Sequence, residues 1–180
     1  MKINWLKSFK IAAILCSFAA IGGVSVALVN VFTEPMIAAN KAEKEAKGLK
    51  KVFGESSLID TKEGKVEIND PDYKYLSCYW EVDHGSTGRI YSVSGTNSYG
   101  SVSLLVGLTP SYSLYNVVVM ENTESYATTL TDNYLNPLIG STDKDEKLDS
   151  VKCGATYGAK LVRDMVNQAK EHYGKEKNNG

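Results

Sequence analysis

The residues best placed to do chemistry are Cys153-Gly154-Ala155-Thr156, set immediately before the predicted final helix. Small side chains let a backbone approach a ligand closely. The free N–H groups of a helix's first turn, at the positive end of its dipole, form a natural seat for a phosphate. Thr156 adds a hydroxyl at that spot, and Lys160 and Arg163 follow within two turns, where they could balance phosphate charge. Read alone, the same residues also describe a glycine-containing loop with Thr156 as an ordinary N-cap, a common arrangement. Metal chemistry finds no support. His84 and His172 belong to no HxxxH pattern, and neither a CxxC nor a carboxylate cluster accompanies them. His172 reads instead as a charge partner for a helix C-terminus.

Stepping outward, the plainest element is the uncharged run Ile11–Phe32. As a helix it is about 33 Å long, enough for a hydrocarbon core of about 30 Å. Lys2, Lys7 and Lys10 precede it without an acidic residue, so the positive-inside rule places the N-terminus in the cytoplasm and the rest outside. A cleavable signal would have a shorter apolar region and a small-residue cleavage site, whereas this run leads into Thr33-Glu34-Pro35. The reading is a single-pass protein of the cytoplasmic membrane. Beyond Phe32 the basic residues fall from 20 to 17 against 21 acidic ones, a net charge near −4. No basic cluster interleaved with aromatics is present, which argues against a nucleic-acid partner. Of three cysteines, Cys16 lies in the apolar run, leaving Cys78 and Cys153 as the one possible pair; sequence does not show whether they meet.

Glu34–Phe53 reads as a helix with Pro35 in its first turn and Gly54 at its end, either a stalk or a continuation of the membrane helix. A β-rich region follows, with strand candidates at Gly64–Asn69, Tyr75–Val82, Gly88–Ser94, Tyr99–Leu108 and Ser113–Met120. The last two are joined by the turn signal Thr109-Pro110-Ser111-Tyr112. A short helix around Tyr134–Ile139 and a polar stretch Ser141–Ser150 lead to the motif. The last helix, Tyr157–Tyr173, carries Leu161, Met165, Val166 and Ala169 on one face. The expected class is α+β, an antiparallel sheet with packed helices preceded by one transmembrane helix. The expected segments are a cytoplasmic 1–10, a membrane helix 11–32, a stalk 33–54, an extracytoplasmic domain 55–174 and a frayed, disordered tail 175–180.

Motif, anchor and strand pattern together resemble the FMN-binding domain family, most closely the G component of the Rnf ion-translocating electron-transport complex. The C component of the sodium-pumping NADH:quinone reductase is a related member. The segment VNVFTEPMIAANKAEKEAKGLKKVF is similar to the anchor-to-stalk region of the Rnf component. Tyr99-Gly100 before VSLLVGL resembles the family's Tyr-Gly turn and following strand, and Asn122–Thr128 falls where the family has an ETPGLG-like loop. In family members a flavin transferase joins FMN, through a phosphoester, to the last residue of D-x-x-[ST]-G-A-T. Here that residue is Thr156. Three positions depart from the pattern: Cys153 stands for Ser or Thr, Ser150 for the Asp (Asp149 lies one residue earlier), and Gly158 for a common hydroxyl residue.

The resemblance implies an electron-transfer subunit of an ion-translocating oxidoreductase, with covalent FMN as cofactor. Its implied partners are integral-membrane subunits and, for maturation, a flavin transferase. The implied site comprises Thr156 as acceptor, Gly154 and Ala155 cradling the phosphate, Cys153, Tyr157 and Lys160 beside them, and Glu124 and Thr128 lining the ring's pocket. Tyr126 and Tyr157 flank that pocket and are candidates for stacking on the ring, whereas Trp80, Tyr75 and Tyr79 read as core or sheet aromatics. Two other functions fit the same residues: a stand-alone extracytoplasmic electron relay, and a membrane-tethered binding or assembly module without flavin.

Overall fold

Alternation of apolar residues along the β-rich region builds a sheet with two buried faces. The computed structural model describes residues 5–53, 64–84 and 86–179. Two compact units divide the chain, Met1–Glu43 and Lys44–Gly180. Helix α1, Trp5–Phe53, contributes to both. It is long and apolar enough to cross a membrane, and it runs without interruption through Pro35. Pro35 is therefore inside a helix and does not open a new one. Ser17, Ser25 and Thr33 return their hydroxyls to carbonyls four residues earlier, so these polar groups are satisfied within the helix. The expected cap Gly54 lies outside the described residues.

In the second unit five strands form one antiparallel meander, in spatial order β1-β2-β3-β4-β5. They are β1 Lys65–Glu67, β2 Leu76–His84, β3 Ser86–Asn97, β4 Gly100–Leu108 and β5 Leu114–Asn122. Side chains alternate between faces. On one face, Tyr79, Tyr91, Val93, Val102, Leu104 and Val106 join the main core; on the other, Cys78, Trp80, Val82, Ile90 and Leu105 form a second core with Leu49, Val52 and Phe53 of α1. An irregularity between Leu76 and Cys78 shifts the alternation, which is why Leu76 packs in the main core and Cys78 in the other. The α1 tail reaches the sheet because two glycines leave room. A Cβ on Gly107 would lie 2.3 Å from Val52 Cγ1, and one on Gly48 2.7 Å from Met120 Sδ.

The main core is covered by helices: α2 Ala127–Leu130, a π-helical turn Thr131–Leu135, α3 Asn136–Gly140, α4 Lys144–Asp149 and α5 Thr156–Asn179. The polar stretch Ser141–Ser150 holds α4, capped by Asp143, whose side chain accepts from the Glu146 N–H at 3.0 Å. Helix α5 lays Leu161, Val162, Met165, Val166 and Ala169 on the sheet. It continues to Asn179, through most of the segment 175–180 expected as a frayed tail. The extension is tied down: Glu176 pairs with Arg89, and Lys177 Nζ donates to the Pro110 carbonyl at 3.3 Å.

The expected antiparallel hairpin is β4–β5, closed at Thr109–Tyr112. Tyr112 N donates to Thr109 O at 2.9 Å, and Tyr112 itself takes a positive φ of 64°. Cys78 and Cys153 are both free, and their side chains pack in different cores, on opposite faces of the sheet.

Candidate functional site

The site forms where three backbone segments converge at one end of the sheet. The first is the start of α5. Ala159 N donates to Ala155 O at 3.0 Å, so Ala155 holds the cap position and Thr156 is the first helical residue. Alanine offers no side-chain acceptor to the first-turn N–H groups, unlike Asp143 at the head of α4. Thr156 is thus not the ordinary N-cap that its sequence setting alone suggests. Gly154 turns the chain into the helix at φ +89°, a conformation that favours glycine, with Thr129 Cγ2 3.2 Å from where a Cβ would sit. The loop is braced from behind: Asn133 Nδ2 donates to Cys153 O at 3.1 Å, and buried Tyr134 donates its hydroxyl to Leu148 O at 2.6 Å. Burial pushes the Tyr134 phenol above its ordinary range, so it stays a neutral donor.

The second segment is the β3–β4 hairpin tip, a two-residue Ser98-Tyr99 loop between paired Asn97 and Gly100. Tyr99 N donates to Asn97 Oδ1 at 2.7 Å. The third is the loop after β5. Ser125 donates to the Tyr99 carbonyl from its backbone N, 2.8 Å, and its hydroxyl, 3.2 Å; Thr123 N donates to Ser101 O at 2.9 Å. Gly100 permits this stitching. At φ +143° its missing Cβ would lie 2.5 Å from Thr123 O and 2.7 Å from Glu124 Cα.

Glu124 is drawn inward by this geometry and is only 6 % exposed. Its Oε1 accepts from Asn97 Nδ2, and its Oε2 faces Gly158, where an added Cβ would lie at 2.2 Å. Three tyrosines line the same cleft as Glu124. The Tyr99 ring lies 5.8 Å from that of Tyr126, at 66°, and 5.4 Å from that of Tyr157, at 39°. Together Tyr99, Glu124, Tyr126, Thr156, Tyr157 and Gly158, with Gly154 and Ala155, line a cleft of about 220 Å³.

Of the residues predicted from sequence, Glu124, Gly154, Ala155, Thr156 and Tyr157 come together as the cleft wall. Cys153, Lys160 and Thr128 do not line it: Cys153 packs against the main core, while Lys160 and Thr128 are exposed on α5 and α2. Arg163, also weighed as a phosphate partner, gives its guanidinium to Asp164 at 3.0 and 3.1 Å. Sequence reasoning missed Tyr99 and Gly158 as wall residues, and Asn97 as the donor that fixes Glu124. A Ser-Tyr pair between an Asn and a Gly signals a hairpin tip, and a glycine in the first turn of a helix signals close approach; both signals were present.

His172 proves not to be a helix-end charge partner. It is 7 % exposed, its Nδ1 lies 3.1 Å from Tyr91 Oη, and the rings of Tyr73, Tyr79 and Tyr91 surround it. Burial lowers its pKa, so it is held neutral. Beside it Arg89 stacks 4.2 Å from the Tyr79 ring centre and 4.7 Å from that of Tyr173, and it bonds Glu81 at 3.1 Å and also Glu176. This cluster clamps the C-terminal half of α5 to β2 and β3. None of its members lines the cleft.

Fold and site define an α+β domain with a tyrosine-walled cleft at the head of its last helix, in a chain that also carries one N-terminal helix of membrane-spanning length. Residues 1–52 match the family model described as the RnfG N-terminal region, which supports closeness of this chain to the G component of the Rnf complex. The matched residues end within α1, before the sheet begins. No curated protein matches the chain.

Proposed function

We propose that the chain is a membrane-anchored electron-transfer subunit of an Rnf-type ion-translocating oxidoreductase, carrying FMN on a phosphoester to Thr156. Such a flavin supplies one- and two-electron chemistry when bound. One observation carries the reading. Outside α1, the large apolar side chains left exposed among the described residues are Val66, Tyr99, Tyr126 and Tyr157, and the three tyrosines all line the cleft that contains Thr156. A cluster of exposed aromatic faces beside a hydroxyl at a helix N-terminus suits a planar ring tethered through phosphate.

The residues fit that group. The Thr156 hydroxyl is the ester oxygen. The first-turn N–H groups, left without a capping side chain by Ala155, hold the phosphate. Gly154 keeps side-chain bulk away from it. The three tyrosines would pack against the ring and exclude water from it. Helix α1 fixes the domain to the membrane beside integral partners, which the RnfG match over residues 1–52 supports, and Lys2, Lys7 and Lys10 before the apolar run favour an N-terminus inside. A flavin transferase is the maturation partner.

Coexpression of the chain with a flavin transferase, followed by denaturing electrophoresis, tests the reading. The expected result is a flavin-fluorescent band that Thr156→Val abolishes. A dark wild-type band beside a labelled acceptor control overturns it.

A further inference from the structure

The polar cluster packed against the C-terminal half of α5 is wired in one direction. Tyr91 is fully buried on β3, and among the described residues its hydroxyl has two polar neighbours, Arg89 Nη1 at 3.5 Å and His172 Nδ1 at 3.1 Å. A guanidinium only donates. The acceptor left to the Tyr91 O–H is therefore His172 Nδ1, which fixes the neutral imidazole as the Nε2–H tautomer. Nε2 in turn faces Glu176 Oε1, 4.0 Å away on the next turn of α5. Glu176 Oε2 accepts from Arg89, which closes a ring of contacts from β3 through the helix and back.

A proton arriving at Nδ1 breaks this arrangement. The Tyr91 hydroxyl loses its acceptor inside the core, where an unsatisfied donor is costly. The new imidazolium is enclosed by the rings of Tyr73, Tyr79 and Tyr91. Arg89 and Lys175 oppose its charge, while Glu176 and Asp70 favour it. Glu176 already serves Arg89, and burial is the largest influence, so the closed site prefers the neutral ring. Once released into solvent, the imidazole takes up the proton freely. We propose that His172 and Tyr91 form a proton-sensitive latch: protonation of His172 releases the last turns of α5, residues 172–179, from β3 while the rest of the domain stays folded. The contacts along α5 favour a local opening of this kind. Upstream, Leu161, Val162, Met165 and Val166 sit in the main core. Beyond His172 the helix is held by Glu176 to Arg89, by Lys177 Nζ to the Pro110 carbonyl at 3.3 Å, and by the Tyr112–Tyr173 ring contact. Roughly 24 Å of helix separates His172 from Thr156, so the cleft is left in place.

Hydrogen exchange of the full chain in detergent, expressed as protection relative to the unstructured rate at each pH, reads the opening directly. Between pH 7.5 and 5.5, protection over residues 172–179 should fall severalfold, at most about tenfold for a histidine that titrates near about 6.5 once released. Residues 156–166 should stay protected. His172→Gln should remove the pH dependence. Tyr91→Phe, which keeps the ring and removes the hydroxyl, should weaken it. Nitrogen NMR of the imidazole at pH 7.5 should find the proton on Nε2. A proton on Nδ1 overturns the latch, as does protection over 172–179 that is the same at both pH values, or a loss spread evenly over the whole domain. Should His172→Gln fail to fold, Tyr91→Phe decides: a pH dependence equal to that of wild type overturns the proposal.

Discussion

Glu124 Oε2 fills the space that a side chain on Gly158 would need: a Cβ there would sit 2.2 Å from it. The loop after β5 and the first turn of α5 therefore share one packing solution, and the carboxyl group fits against the helix because residue 158 is glycine.

Two glycine substitutions should separate flexible from rigid crowding. Gly158→Ala meets the end of a side chain that can move, and alanine's helix preference, about 1 kcal/mol over glycine, offsets the displacement. Its stability should change by less than about 1 kcal/mol, while Glu124 loses Asn97. Gly100→Ala meets the backbone of Thr123 and Glu124 at a φ of +143°. It should cost about 2–3 kcal/mol, since strained backbone and overpacking add. Urea denaturation of both variants checks the ranking.

The tail of α1 belongs to the second core. Leu49, 1 % exposed, packs there with Val52 and Phe53. Leu49→Ala should destabilise the domain by about 2–5 kcal/mol, whereas Lys51→Ala on the exposed side should stay within about 0.5 kcal/mol. A domain expressed from residue 64 onward, lacking this tail, should be less stable than one beginning at residue 44.

Much of this was legible in the residues. Runs rich in Tyr, Trp, Val and Ile and the Thr109–Tyr112 turn marked the sheet, and the spacing of Leu161, Met165, Val166 and Ala169 marked α5. Helix α4 was obscured because a single buried residue, Leu148, gives no periodicity to read. The α5 extension and the role of His172 were obscured for another reason. Both depend on contacts with β3, through Arg89–Glu176 and Tyr91–His172, across more than eighty residues of sequence. At the site, Thr156 and Glu124 could be named because each sits in a local motif. Tyr99 joins them through bonds from the backbone N and hydroxyl of Ser125 to its carbonyl and through ring contacts with Tyr126 and Tyr157, which no local pattern encodes.

His172 should give the domain an acid sensitivity. Its pKa is lowered in the folded state, mainly by burial, so the unfolded chain, with histidine near about 6.5, takes up the proton first. This contribution to stability is complete above about pH 6.5 and declines as pH falls below it, levelling once the lower folded pKa is passed. Denaturant midpoints between pH 7.5 and 5 should fall in wild type, and His172→Gln should flatten that part of the slope.

Arg89→Met should loosen the C-terminal half of α5. The arginine side chain is 12 % exposed and joins Glu81 and Glu176, which are 46 % and 40 % exposed. Breaking a fully buried pair costs about 3–5 kcal/mol; the solvated carboxylates reduce this to about 2 kcal/mol. Hydrogen exchange should quicken over residues 172–179 while the first turns of α5 stay protected.

Intact-mass measurement of the chain matured with a flavin transferase, followed by peptide mapping, addresses the attachment at Thr156 most directly. The expected result is one FMN per chain, on the peptide containing Gly154-Ala155-Thr156, retained in Cys153→Ser and absent from Thr156→Val. FMN mapped to another residue, or an unmodified wild-type chain beside a fully modified acceptor control, would contradict it.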